Sequence, residues 1–265
     1  MTWWLVPLAL LVGLVMGALG GGGAIITVPV LVYLAHQSPA AAMMGSLIIV
    51  TVTAVAGLIG HARAGHVRTA EGLAFAGLGS LGAVAGSLMS MQLSGDLLMV
   101  LFALLLLVVA GVMARKYLRK SQAEPAANPP SMFTRRPLRV NWRQTGLVAG
   151  AATGVGLLIG FFGVGGGFAI VPALVFVLGF SMKSAVATSL LVIVGNSLVA
   201  LATRVSAAVE IDWVLISWFS VLAAAGAIPG GKLGRRLPSR ILGLGFTALL
   251  AVASVLMLAQ SLWWS

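Results

Sequence analysis

The sequence predicts an all-α polytopic membrane protein: two homologous repeats of about five helical segments in inverted topology, each with a Gly-rich broken or re-entrant helix pair. Three observations carry that prediction. The 265 residues are 60% hydrophobic and 8% charged, with a mean hydropathy of +1.10, a balance outside that of water-soluble chains. The apolar residues come in stretches of ~20, enough to cross a ~30 Å hydrocarbon core as helices, and lack the period-of-two alternation of barrel strands, which excludes a β-barrel. Lastly, the second half of the chain copies the first.

The first twenty residues, MTWWLVPLALLVGLVMGALG, resemble a secretory apolar region but lack a basic start and belong to a motif that returns later; they are expected to stay in the mature protein. Apolar segments run over residues 3–19, 24–35, 40–60, 70–91 and 97–114, which makes 1–114 the first transmembrane repeat. Residues 115–143 are polar, carry Pro125, Pro129, Pro130 and Pro137, and hold eight of the sixteen basic residues, as a basic cytoplasmic linker does. Segments at 145–162, 168–180, 185–203, 213–231 and 241–262 then form the second repeat, 144–265.

The duplication is read from register. GALGGGGAIITVPVLVYL from Gly17 aligns without gaps on GFFGVGGGFAIVPALVFV from Gly160, a displacement of 143, so Gly22 meets Gly165, Gly23 meets Gly166 and Pro29 meets Pro172. The same displacement carries Ser46-Leu47 onto Ser189-Leu190 and Thr53 onto Asn196, and with one residue of slippage 83–98 falls on 227–242. If each glycine break turns the chain back, every repeat has five segments and the second is inverted. Fifteen of the sixteen basic residues then share one face and only Arg204 lies opposite, the partition the positive-inside rule prefers over the parallel alternative, which splits eleven against five. Both termini would then be external, with Trp3-Trp4 and Trp263-Trp264 in one interfacial belt.

A backbone break inside a bilayer survives only where protein, water or a ligand satisfies its polar groups. Matched breaks in an inverted repeat point to a transporter's substrate site near the midplane. Each break here opens a short helix, at Gly22-Gly23-Ala24 and Gly165-Gly166-Gly167. A helix N-terminus offers free N–H donors and roughly +0.5 of a charge, and glycine leaves the approach clear of a Cβ. Gly21, Gly22, Gly23, Ala24, Gly165, Gly166 and Gly167 are therefore candidate anion-binding positions. Ser46 and Thr53, and at equal places Ser189 and Asn196, lie seven residues apart on one face of the next helix and add hydroxyl or amide groups, with interhelical hydrogen bonding as their alternative role. Thr27, Thr51, Thr188 and Ser197 are weaker candidates. Pro29 and Pro172 each remove a donor inside the short helix and favour a bend. The pairs Gly13/Gly17 and Gly156/Gly160, spaced by four, read as close helix packing. Contiguous glycines weaken a helix by ~1 kcal/mol each and do not fit that role.

Other chemistry is thin. There are no cysteines, and the three histidines lack metal-ligand spacing. The chain shows no GxSxG, no Walker lysine and no paired carboxylates, so no enzyme and no cofactor are expected. The charge of +11 sits in short gaps between apolar segments and does not suggest nucleic acid. His61, Arg63, His66, Arg68 and Glu71 read as a solvated loop cluster. Glu71, Asp96, Glu210 and Asp212 lie at helix ends and Glu124 in the linker, leaving no mid-span carboxylate for a proton or sodium relay. An inside-negative potential expels an anion without coupling, so the sequence leans toward export.

GALGGGGAIITVPVL and GVGGGFAIVPALV, each followed by a Ser-Leu helix, together with GSLMSMQL and GGKLGRRLP, resemble the sulfite exporter TauE/SafE family over nearly all the chain outside 115–143. The resemblance implies a multi-pass permease of the bacterial inner (plasma) membrane that exports sulfite, a sulfonate or another sulfur-containing or organic anion. Where the second repeat has Arg235-Arg236 the first has Met91-Gln92, a departure that an outward-facing end explains. The partners expected are a small anion and the lipid bilayer, with a homodimer left open; anion uptake, a passive channel and a non-transporting membrane subunit are the competing functions.

Overall fold

The computed structural model describes residues 3–90, 95–118, 133–135, 138–140, 142–162, 167–204 and 211–263. Among them are ten helices: α1 (Leu5–Leu19), α2 (Gly22–Pro29), α3 (Pro39–Arg63), α4 (Thr69–Ser90), α5 (Gly95–Leu118), α6 (Trp142–Phe162), α7 (Gly167–Phe176), α8 (Met182–Arg204), α9 (Trp213–Arg236) and α10 (Ser239–Trp263). Each corresponds to one apolar segment of the sequence. Five are long and apolar enough to cross a membrane, within α3, α5, α8, α9 and α10, while α1, α2, α6 and α7 hold shorter apolar stretches. Within 115–143 the structure places the end of α5, an antiparallel ribbon of β1 (Phe133–Arg135) and β2 (Leu138–Val140), and the start of α6.

Local sequence sets the helix ends. Gly20 adopts φ +75, the left-handed geometry glycine tolerates, and its N–H closes α1 on Met16 O at 2.8 Å. Pro29 ends α2 and is followed by a wide π turn over Val30–Leu34, the local unwinding expected where a backbone donor is missing. Ser38 accepts from Ala41 N to start α3, and Asp212 accepts from Leu215 N at 3.0 Å to start α9.

Packing relies on backbone contact at small residues, as expected where lipid leaves little hydrophobic drive between helices. A Cβ on Gly13 or Gly17 would land on the backbone of Ala223 or Ala227, and one on Gly156 or Gly160 on that of Gly79 or Ala83. These are the same contacts shifted by one repeat, α1 on α9 and α6 on α4. Leu10, Leu14 and Ala18 meet Gly226, Gly230 and Gly234 in rising order, so α1 and α9 run the same way. Gly45 against Ile216 and Gly60 against Arg235 align α3 with α9 likewise. Gly72 against Thr188 and Leu191, and Gly79 against Asn196, align α4 with α8. Gly57 packs on Leu190, whereas the turn after α3 reaches back to Thr188, so α3 opposes α8.

Of the short helices, α7 is buried almost throughout. Residues 167–175 of α7 are all buried, and Phe168 meets Phe102 edge-on at 5.0 Å. Leu73, Leu81, Val84 and Leu88, on one face of α4, are exposed as lipid-facing residues are.

Candidate functional site

The first glycine break is close-packed wherever a Cβ would stand. Gly20, Gly21, Gly22 and Gly23 are buried, and a Cβ on each would meet in turn the Ser189 side chain, the Gly167 backbone, Leu249 and Met16. Four elements thus close on four successive residues, which an irregular segment permits and a regular helix face does not. Close packing accounts for contiguous glycines here as well as for spaced ones, a role the sequence reading had reserved for intervals of four.

Gly21 precedes α2 without any side-chain cap, so the first-turn N–H groups have no such partner. Thr27 donates to Gly23 O at 2.9 Å within α2. Gly167, the first residue of α7, lies directly on Gly21, so the two short helices start from one junction. Gly165 and Gly166 fall outside the described residues.

The polar candidates divide into ends. Ser189 borders the first break at Gly20. Ser46 lies eleven residues from Gly57, the residue that packs beside Ser189 on Leu190, and that is about 16 Å along the helix. The two serines therefore do not meet around one small ion. Thr53 is four residues from Gly57, and the opposed run of α3 and α8 brings it level with the neighbourhood of Asn196. All three hydroxyls are turned to their own helices: Ser46 donates to Met43 O at 2.8 Å, Thr53 to Ile49 O at 2.6 Å and Ser189 to Val186 O at 2.8 Å. Each would have to rotate to donate to an anion. The Asn196 amide oxygen accepts from Ser80 on α4 at 3.4 Å, an interhelical contact. Thr51 donates to Leu47 O, and Thr188 accepts from Arg68 N at 3.1 Å, pinning the α3–α4 turn to α8.

Two residues of the region read as a solvated loop, at its two ends, are interior. His61 is 1% exposed and Glu71 is 2% exposed. Glu71 pairs with Arg68 at 2.9 Å, and the Arg68 guanidinium lies 5.1 Å from the Phe180 ring centre. His61 Nε2 bonds Gly17 O at 3.1 Å. Gly17 O belongs to the last turn of α1, where carbonyls have no intrahelical donor because the chain leaves the helix at Gly20. A histidine from α3 thus caps the helix that leads into the break. Lys116 does the same for α7, donating to Val175 O at 3.3 Å with its ammonium 4.9 Å from the Phe176 ring. The sequence signal that could have found His61 was a lone titratable residue still inside an apolar helical register, three positions before Ala64. Outside the spans, His66 is held below its ordinary value by burial, then by the nearby Lys183 and Arg235 cations. No group of three metal-binding side chains occurs among the described residues.

Comparison with known proteins supplies the family. The profile described as "Sulfite exporter TauE/SafE" matches residues 5–257. A "Probable membrane transporter protein" of Xylella fastidiosa strain Temecula1 is 36% identical over 234 residues, covering 87% of this chain and 82% of its own. The "Probable membrane transporter protein YdhB" of Bacillus subtilis is 28% identical over 251 residues, 94% and 96% of the two chains, and YunE of the same organism is 26% identical over 244 residues, 87% and 86%. No solved structure matches. A matched profile over almost the entire length, on a ten-helix apolar fold whose short helices start from glycine, makes this chain a member of the sulfite exporter TauE/SafE family of membrane transporters.

Proposed function

We propose that the protein is a secondary transporter of the bacterial inner membrane that exports a small anion, sulfite, a sulfonate or another sulfur-containing or organic anion, bound at the midplane between the two glycine breaks. The observation that carries this reading is the contact of Gly21 with Gly167. It brings together the starts of α2 and α7, where first-turn N–H groups and the positive ends of two helix dipoles attract an anion. The Cα sides of these glycines are packed, which fixes the backbone, while the amide side supplies donors.

The two halves are inverted repeats in this reading, with 115–143 cytoplasmic and both termini periplasmic. It is supported by direction: α1, α3 and α9 run one way while α4, α6 and α8 run the other, so the first helix of one half opposes the first helix of the other. That α1 and α3 run alike requires α2 and its π turn to bring the chain back, as a re-entrant pair does. With no carboxylate in the middle of a span, the driving force is the membrane potential itself, ~2.3 kcal/mol per charge per 100 mV.

The test is flux. Purified protein reconstituted into liposomes loaded with radiolabelled sulfite, methanesulfonate or acetate should release a sulfur oxyanion with saturable kinetics. Non-saturating release would make it a channel, influx down an inward gradient with no release from loaded liposomes would make it an uptake system, and no flux for any anion would overturn the transport reading.

A further inference from the structure

At the basic face, three helix ends and one turn bring together nitrogens that the glycine junction does not use. His61 lies in the last turn of α3, His66 in the turn that follows, Lys183 in the first turn of α8 and Arg235 in the last turn of α9. The place a Cβ would take on Gly231 is 3.6 Å from Arg235 Nη1 and 3.6 Å from His61 Nε2, so the two side chains meet over a glycine. A Cβ on Gly60 would stand 2.8 Å from the same Nη1. Glycines at 60 and 231 thus make room for the guanidinium. His66 N donates to His61 O at 3.3 Å, which holds the backbone that carries the second ring against the end of α3.

Three nitrogens of this cluster, His61 Nδ1, His66 Nδ1 and Arg235 Nη1, are buried without a hydrogen-bond partner. Orphaned buried polar groups of this kind are destabilising, and three in one place point to a missing ligand. The carboxylate nearby, Glu71, is engaged by Arg68, and among the described residues no acid pairs with Arg235 or Lys183. The local charge is therefore positive. Gly17 O can only accept, so His61 Nε2 carries the proton and Nδ1 presents a lone pair while the ring is neutral. A fixed cation beside neutral imidazole nitrogens suits an oxyanion that still bears a proton: charged oxygens face the guanidinium and the O–H donates to Nδ1.

We propose that Arg235, His61 and His66 form a binding site for a small protonated oxyanion at the basic mouth, separate from the glycine junction. The site has no twin. Met91-Gln92 take the place of Arg235-Arg236 in the first repeat, so the ion is held at one mouth only, as a loading station on the way to the junction.

Binding is measured on the purified full-length protein in detergent, by calorimetric titration and by thermal melting, with sulfite or methanesulfonate at pH 6.5. Sulfite, part of which carries a proton at that pH, should bind and raise the melting temperature, and methanesulfonate, which carries none, should bind at least tenfold more weakly. Arg235→Gln and His66→Gln, both at half-buried positions, should each weaken sulfite binding at least tenfold while melting cooperatively without anion. Ser189→Ala, which removes the side chain beside the first glycine break, should leave sulfite binding at the mouth intact and slow transport. Wild-type affinity in both R235Q and H66Q, or equal affinity for the two anions, would overturn the site; loss of binding in S189A alone would place all binding at the junction and overturn it too.

Discussion

Substituting Gly21 by alanine tests whether the two short helices must touch. A Cβ at that position lands on the carbonyl oxygen, carbonyl carbon and Cα of Gly167. Ordinary carbon contacts sit at ~3.5–4 Å, and no rotamer change relieves a clash with backbone, so α2 and α7 must part by more than about 1 Å. Overpacking of this kind typically destabilises by about 1–3 kcal/mol. The comparison is Gly77→Ala in α4, where nothing lies within 4 Å of the new Cβ and the gain in helix propensity is roughly 0.5–1 kcal/mol. Melting in detergent should therefore fall for G21A and hold or rise for G77A. Anion efflux from proteoliposomes, normalised to folded protein, should drop more than tenfold in G21A and stay near wild type in G77A. A G21A protein that melts and transports like wild type would refute the argument that the junction is both close-packed and functional.

Three other outcomes are expected. Single cysteines at Ser121 and Ser206, both outside the described residues of this cysteine-free chain, should react with impermeant maleimide from opposite faces of oriented membranes; reaction from one face would remove the inverted arrangement. His61→Ala leaves the buried Gly17 carbonyl without its donor and should be destabilising by about 1–3 kcal/mol, whereas His61→Gln, whose amide can donate, should recover much of that stability; equal melting of all three proteins would dismiss the capping role. Because the His66 ring is held below its ordinary 6.5 in the folded protein, the unfolded chain binds more protons and stability rises with pH. Anion-free protein should thus lose stability as pH falls below 6.5, the loss levelling off once the folded ring is also protonated, and His66→Gln should flatten that slope; an unchanged slope would mean another group is responsible.

The ten helices were legible because apolar length and glycine placement are local. Residues 17–23 and 163–167 announce where helices stop and short ones start, and the doubled register of Gly13/Gly17 and Gly156/Gly160 anticipated the backbone contacts with α9 and α4. What was not legible depends on which segments fold over which. His61 and Glu71, two residues among five polar ones around a turn, look solvated in the sequence, yet α8 and α9 close over them and bury both. The wide separation of Ser46 from Ser189 is likewise invisible in a displacement of 143: α3 and α8 run in opposite directions, so residues near the same end of each helix lie far apart, not side by side. Equivalence in sequence identified Thr53 and Asn196 as a pair, and these two come near one level because they sit close to the middle of their helices.

Export driven by the membrane potential, through a site that needs no cation partner, is tested most directly by flux under an imposed voltage. Proteoliposomes loaded with the transported anion and given an inside-negative potential with potassium and valinomycin should release it faster as the potential is made larger, in sodium-free buffer and without an imposed pH gradient. A rate indifferent to the potential, or one that appears only with sodium or an imposed pH gradient, would contradict the account.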